Sequence, residues 1–147
     1  MSLFSMLEIS GSAMAAQRER AEVVAANMAN ADTTRTADGG PYRRKEVVFA
    51  SSGNSPFQLL LAGIRRLAGR SVPAVRISRV VNDPAPPVMR YEPGHPDADK
   101  NGYVAYPAIN PIAEMVDLMG AVRSYQLNAA AISASKQMIQ GSMDILK

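Results

Sequence analysis

A seven-residue repeat of apolar side chains runs through the C-terminal part of this 147-residue chain. Its steps of four and three keep one helix face pointing the same way over several turns. The repeat comprises Leu118, Val122, Tyr125, Ala129, Ile132, Lys136, Ile139, Met143 and Leu146. Asn110 is a typical N-cap residue and Pro111 suits a first helical position, so we predict a helix from Pro111 to Lys147. Such a helix would be about 55 Å long, and its apolar seam needs a partner.

The N-terminal segment supplies a candidate partner. From Leu3 to about Ala31 the chain reads as a second helix with the same alternating spacing. This second seam comprises Met6, Ile9, Ala13, Ala16, Arg20, Val23, Asn27 and Asn30. Alanine would let two helices approach closely, and polar residues on such a seam can fix the register at some cost in stability. An ordinary two-helix core and a bundle shared with neighbouring subunits are both compatible with this pattern.

The middle of the chain is rich in turns and short apolar runs. Asp38 to Pro41 is a turn signal, and Asp83 to Pro87 must be irregular. The predicted strands are Tyr42–Phe49, Val72–Val81, Val88–Tyr91 and Tyr103–Tyr106, with a short helix over Phe57–Leu67. The predicted fold is therefore mainly α with a small β part. Residues 1–31 and 110–147 form the helices of a coiled-coil stem, and residues 32–109 carry β-hairpins and an arginine-rich insertion.

Composition excludes several classes of protein. Without cysteine the chain has neither a disulfide framework nor a thiolate nucleophile. The N-terminus lacks the basic start and long apolar core of a cleaved secretory signal. No run of about twenty apolar residues exists, so we expect no membrane span.

An arginine cluster offers an alternative function. Arg65, Arg66, Arg70, Arg76 and Arg79 have no acidic residue among them. Such a block could bind nucleic acid or another anionic polymer, or it could be a solvated surface loop. The aromatic residues expected of a single-strand binder are missing, because only Phe57 lies nearby.

Patterns suggestive of metal binding or catalysis are incomplete. Asp97, Asp99 and Asn101 begin a calcium-loop pattern, but its twelfth position is Ala108, so a tight turn is the better interpretation. Ser133 and Lys136 have a spacing found in acyl enzymes, but they lie within the helical repeat. His95 is the only histidine. We therefore predict no catalytic residues, no bound metal and no cofactor.

Both predicted helices carry motifs of a known family. The run from Ala26 to Thr33, Ala-Asn-Met-Ala-Asn-Ala-Asp-Thr, resembles the N-terminal signature of flagellar rod and hook proteins. The runs Asn110–Met119 and Arg123–Asn128 resemble the C-terminal signature of that family. In the middle segment, the motifs most similar to the proximal rod type of the flagellar basal-body rod proteins are Tyr42–Arg43 with Lys45 and Val47–Phe49, then Tyr91–Asp99 and Asn101–Val104. The segment from Pro56 to Arg70 departs from that pattern, being longer and more apolar.

The resemblance implies a non-enzymatic subunit of a helical tube. The family's terminal helices would form the inner coiled-coil layer of this tube, which transmits torque and surrounds the export channel. Implied partners are other rod proteins, basal-body components at the rod base and further copies of the chain, without nucleic acid. The implied location is the basal body in the periplasm, after flagellar type III export without a cleaved signal.

The candidate subunit-interface residues lie on both helices. Those of the N-terminal helix are Ile9, Ala13, Ala16, Val23, Asn27 and Asn30. Those of the C-terminal helix are Met115, Leu118, Val122, Arg123, Tyr125, Asn128, Ile132, Ile139 and Met143. Apolar members would supply burial, and the asparagines, arginine and tyrosine would fix the spacing between subunits. The alternative for the asparagines is that they merely end the helix in solvent.

Overall fold

The computed structural model describes residues 3–52 and 74–145. The elements in chain order are helix α1 (Leu3–Ala29), strands β1 (Lys45–Ser52), β2 (Ala74–Asn82), β3 (Val88–Tyr91) and β4 (Tyr103–Tyr106), and helix α2 (Pro111–Ile145). The prediction of two long helices with a small β part between them is confirmed. The predicted helix over Phe57–Leu67 lies outside the described residues, as do Arg65, Arg66 and Arg70.

Side-chain hydrogen bonds mark the inner ends of both helices. The Asn110 Oδ1 atom accepts hydrogen bonds from the backbone N–H groups of Ile112 at 3.0 Å and Ala113 at 3.4 Å. The predicted N-cap of α2 is therefore confirmed. At the end of α1, the Asn30 side chain donates to the Ala26 carbonyl at 2.8 Å and accepts from the Thr33 hydroxyl at 3.2 Å. Such local bonds favour leaving the helix, which ends at Ala29 rather than Ala31.

The four strands form two separate two-stranded sheets, one of β1 with β2 and the other of β3 with β4. The β3–β4 hairpin has the predicted strand limits and is antiparallel, with Val88 opposite Tyr106 and Tyr91 opposite Tyr103. The predicted start of β1 was wrong by three residues. The Tyr42 N–H donates to the Thr33 carbonyl at 3.0 Å, so this backbone belongs to the turn region after α1.

The chain divides into two compact units. The first contains Met1–Arg18, Phe49–Ser78 and Val122–Lys147, and the second contains Glu19–Val48 and Arg79–Ala121. In the second unit, the Arg20 guanidinium bonds the Asp117 carboxylate at 2.7 Å, and α1 and α2 run antiparallel. In the first unit, the Ser135 hydroxyl donates to the Met6 sulfur at 3.0 Å. Within residues 3–52 and 74–145, neither helix has the length and hydropathy needed to cross a membrane.

Candidate assembly interface

Helix α2 exposes large apolar side chains in its first turns. Ile112 is 75% exposed, Met115 52%, Val116 59% and Met119 58%. We call these four residues the outer face of α2. Apolar area of this kind on consecutive turns is typical of a protein–protein contact, whereas single exposed apolar residues are ordinary.

The residues that α2 buries within the chain are small or polar. Glu114 and Ala121 in the second unit and Ser135 in the first are at most 1% exposed. Their separations of seven and fourteen residues place them on one helix face. This face repeats every seven residues, as the predicted seam does, but it is formed by different positions of the repeat. The chain therefore buries a small, polar seam of α2 and leaves most of its large apolar side chains at the surface.

The predicted interface residues fall into three groups by burial. On α2, Met115, Val122, Arg123, Tyr125 and Met143 are exposed. Half-buried residues of the two helices are Ile9, Ala13, Val23, Asn30, Leu118, Asn128, Ile132 and Ile139. Ala16 and Asn27 of α1 are buried within the single chain. The exposed group is thus available to another subunit, and the interface role of the whole set stays a prediction.

Asn27 is the centre of a buried polar cluster in the second unit. Its Nδ2 atom donates to the Lys45 carbonyl at 2.9 Å and to Glu114 Oε2 at 3.0 Å. Its Oδ1 atom accepts from the Lys45 N–H at 2.9 Å and from the Tyr42 hydroxyl at 3.2 Å. The Asn27 side chain thus has hydrogen-bond partners at both ends of its amide. It does not end the helix in solvent, and its amide is occupied within its own subunit.

Glu114 is the second member of this cluster and joins α2 to the start of β1. The Arg44 Nε atom donates to Glu114 Oε1 at 2.6 Å. Arg44 also pairs with Glu46, and its Nη1 atom lies 3.7 Å from the Asp83 carboxylate. A buried carboxylate needs such partners, because an unpaired charge in this position is costly.

The cluster changes the pKa of two of its members. Partial burial lowers the pKa of Arg44, but the hydrogen bonds and charges of Glu114 and Glu46 outweigh it and hold the pKa above its usual value. Burial, followed by the charge of Glu114, raises the pKa of Tyr42. Both shifts favour the protonation states present at neutral pH, a charged guanidinium and a neutral phenol.

Sequence reasoning missed Arg44 and Glu114 as site residues. Glu114 lies in the first turn of α2, where an acidic residue is common because it interacts favourably with the helix dipole. Its presence there therefore did not indicate a further role. Arg44 lies in a basic run beside Arg43 and Lys45, with nothing to distinguish it. Their pairing across 70 residues follows from the fold. The only available signal was that Glu114 falls within the C-terminal family motif.

The loop between β3 and β4 is a hydrogen-bonded turn. Asp99 Oδ1 accepts from the backbone N–H groups of Asn101 at 2.7 Å and Tyr103 at 2.9 Å, which confirms the predicted tight turn. Asp97 accepts from the Thr34 hydroxyl at 2.8 Å. His95 Nδ1 accepts from the Asp97 N–H at 3.1 Å. The loop is thereby tied to the segment that follows α1, within the second unit.

Comparison with known proteins gives two family matches. Residues 7–35 match the family model described as flagella basal body rod protein. Residues 100–145 match the model described as the C-terminal region of the flagellar basal body rod FlgEFG proteins. The first match covers most of α1, and the second covers β4 and α2.

Curated relatives match along the whole chain. The flagellar basal-body rod protein FlgC of Borreliella burgdorferi is 37% identical, with 100% of this chain and 99% of the relative covered. The FlgC of Bacillus subtilis is 39% identical with both chains covered completely. That of Salmonella typhimurium is 40% identical over 95% of this chain and 94% of the relative. The similarity thus extends through the middle segment as well as both helices.

Proposed function

The chain belongs to the FlgC family of flagellar basal-body rod proteins and is a structural rod subunit rather than an enzyme, and we propose that it assembles through α1 and α2. Residues 1–31 and 110–147 form a coiled-coil stem with the helices of neighbouring rod subunits, and residues 32–109 form the part between them. The stems build a helical tube around the export channel, and this tube transmits torque. The subunit reaches the periplasm by flagellar export without a cleaved signal.

The exposed outer face of α2 carries this proposal. A helix that is apolar on several faces is normally buried on several faces. In the first turns of α2, the face that carries Glu114 and Ala121 is already buried within the chain, while Ile112, Val116 and Met119 remain exposed. Covering these apolar side chains with another subunit would stabilise the assembly by removing them from water.

The buried polar cluster supports a defined geometry for this packing. Asn27 and Glu114 connect α1, α2 and the start of β1 inside one subunit. A fully paired buried network favours one arrangement of its elements, because any shift leaves polar groups without partners. The two helices of the second unit can therefore meet a neighbour as one preformed surface. The family relationship favours this role over the alternative of an anionic-polymer binder that uses the arginine cluster.

Replacement of one exposed apolar side chain tests the proposal. Val116→Asp puts a carboxylate on the outer face, where burial against another subunit would leave it unpaired. Gln126→Asp is the control, since Gln126 is also exposed on α2 but is polar. In cells whose own copy of this gene is deleted, we expect Gln126→Asp to restore rods and swimming and Val116→Asp to fail, although the purified variants keep equal helix content. Normal rods with Val116→Asp would contradict the proposal.

A further inference from the structure

The methionines of this chain differ widely in exposure. Met115 and Met119 are more than half exposed, whereas Met14 and Met28 are half-buried. The Met6 sulfur accepts a hydrogen bond from Ser135 at 3.0 Å. Oxidation of a methionine requires access of the oxidant to its sulfur. The two methionines of the outer face are therefore open to oxidants in the free subunit.

Met115 and Met119 lie one helical turn apart among other apolar residues. Ile112 and Val116 complete the same outer face, so both methionines belong to an apolar patch. Methionine suits such a contact because its flexible side chain adapts to an irregular partner surface. Oxidation replaces this side chain with a polar sulfoxide, and burying an unpaired polar group opposes association.

We propose that Met115 and Met119 form a modification site at which a hydroperoxide oxidant prevents the subunit from entering the rod. Each thioether sulfur attacks one oxygen of hydrogen peroxide, and an S–O bond forms as the O–O bond breaks. The sulfur is oxidised by two electrons and both peroxide oxygens are reduced; the transferred oxygen gives its proton to the departing hydroxide, so the products are a sulfoxide and water. The inference rests on the proposed function, because it requires the outer face to be covered on assembly.

The first test is oxidation of the folded, full-length chain with hydrogen peroxide. Peptide mass spectrometry gives the rate at which each methionine gains one oxygen atom. We expect Met115 and Met119 to be oxidised before Met14 and Met28, with loss of this difference in denaturant. Equal rates at all four methionines in the folded chain would overturn the proposal.

The second test separates oxidation from assembly itself. The double variant with Met115→Leu and Met119→Leu keeps the apolar face, whereas Met115→Gln with Met119→Gln mimics the polarity of the sulfoxide. Both replacements are good helix formers, and equal helix content of the purified variants serves as the folding control. In cells lacking their own copy of this gene, we expect the glutamine variant to swim less than the leucine variant.

The outcomes distinguish this inference from the function on which it rests. Swimming with the glutamine variant, at the level of the leucine variant, would overturn the inference while leaving assembly through α2 possible. Weaker swimming with the glutamine variant than with the leucine variant, at equal helix content, supports it. Failure of the unmodified chain to restore swimming would contradict the proposed function itself, and the inference with it.

Discussion

The Asn27 amide donates a hydrogen bond to the Glu114 carboxylate across 3.0 Å, and both side chains are almost completely buried. These residues are 87 positions apart in the chain. The bond joins the last turns of α1 to the first turn of α2 in the second unit. It makes Asn27 an internal residue of the subunit.

Asn27→Ala should therefore destabilise the free subunit. The substitution leaves the Lys45 backbone groups, the Tyr42 hydroxyl and Glu114 short of partners, and we expect a loss of about 3 kcal/mol in the free energy of unfolding. Urea unfolding followed by circular dichroism measures it. Asn30→Ala is the control, expected to cost less than about 1 kcal/mol because Asn30 is half-buried and bonds only locally. Equal effects of the two substitutions would contradict the internal role of Asn27.

The phenol of Tyr42 should ionise at a higher pH than an ordinary tyrosine. Burial and the charge of Glu114 raise its pKa above the usual value of about 10. Because the folded state favours the protonated phenol, Tyr42 contributes to stability at pH values below its unfolded-state pKa. This contribution is lost as the pH rises through the folded-state pKa of Tyr42. Ultraviolet titration of the phenolate, compared with Tyr42→Phe, isolates the signal of Tyr42.

Two carboxylate variants identify the source of this shift. Glu114→Gln removes the negative charge that is the second cause of the raised Tyr42 pKa, and it should bring this pKa closer to that of an ordinary tyrosine. Glu46→Gln should leave the Tyr42 pKa unchanged, because Glu46 acts on Arg44 instead. The same Tyr42 pKa in both variants would show that the charge of Glu114 has no part in the shift.

Gly102→Ala should weaken the β3–β4 hairpin. Gly102 has a φ of +81°, and a Cβ atom there would lie 2.9 Å from the Tyr91 ring and 3.3 Å from the Pro93 Cβ atom. Left-handed backbone strain together with this clash should lower the free energy of unfolding by about 2 kcal/mol. Gly94→Ala is the matched control, since a Cβ atom at Gly94 meets nothing within 4 Å. Thermal unfolding that is equal in both variants would contradict this explanation of the turn.

Local signals in the sequence predicted much of the fold. The N-cap at Asn110 and the limits of β3 and β4 follow from residues that act on their immediate neighbours. The repeat of α2 predicted a helix but not its buried face. Large apolar residues such as Val122 define the predicted seam, yet the chain buries Ala121 because small side chains let helices pack closely. The Arg44–Glu114 pair depends on tertiary structure, which a single sequence does not reveal.

In the rod, other subunits should cover the outer face of α2. The chain contains no cysteine, so Val116→Cys introduces a single thiol for labelling with a maleimide. Ala121→Cys is the control for a site that is already buried within the subunit. The measurement compares labelling of each thiol in the purified subunit, in isolated basal bodies and in denaturant.

We predict that Val116→Cys reacts readily in the free subunit, is protected in basal bodies and reacts again after denaturation. Ala121→Cys should react only in denaturant. Labelling of Val116→Cys in intact basal bodies at the rate found for the free subunit would show that the outer face stays in solvent, and would contradict assembly through it.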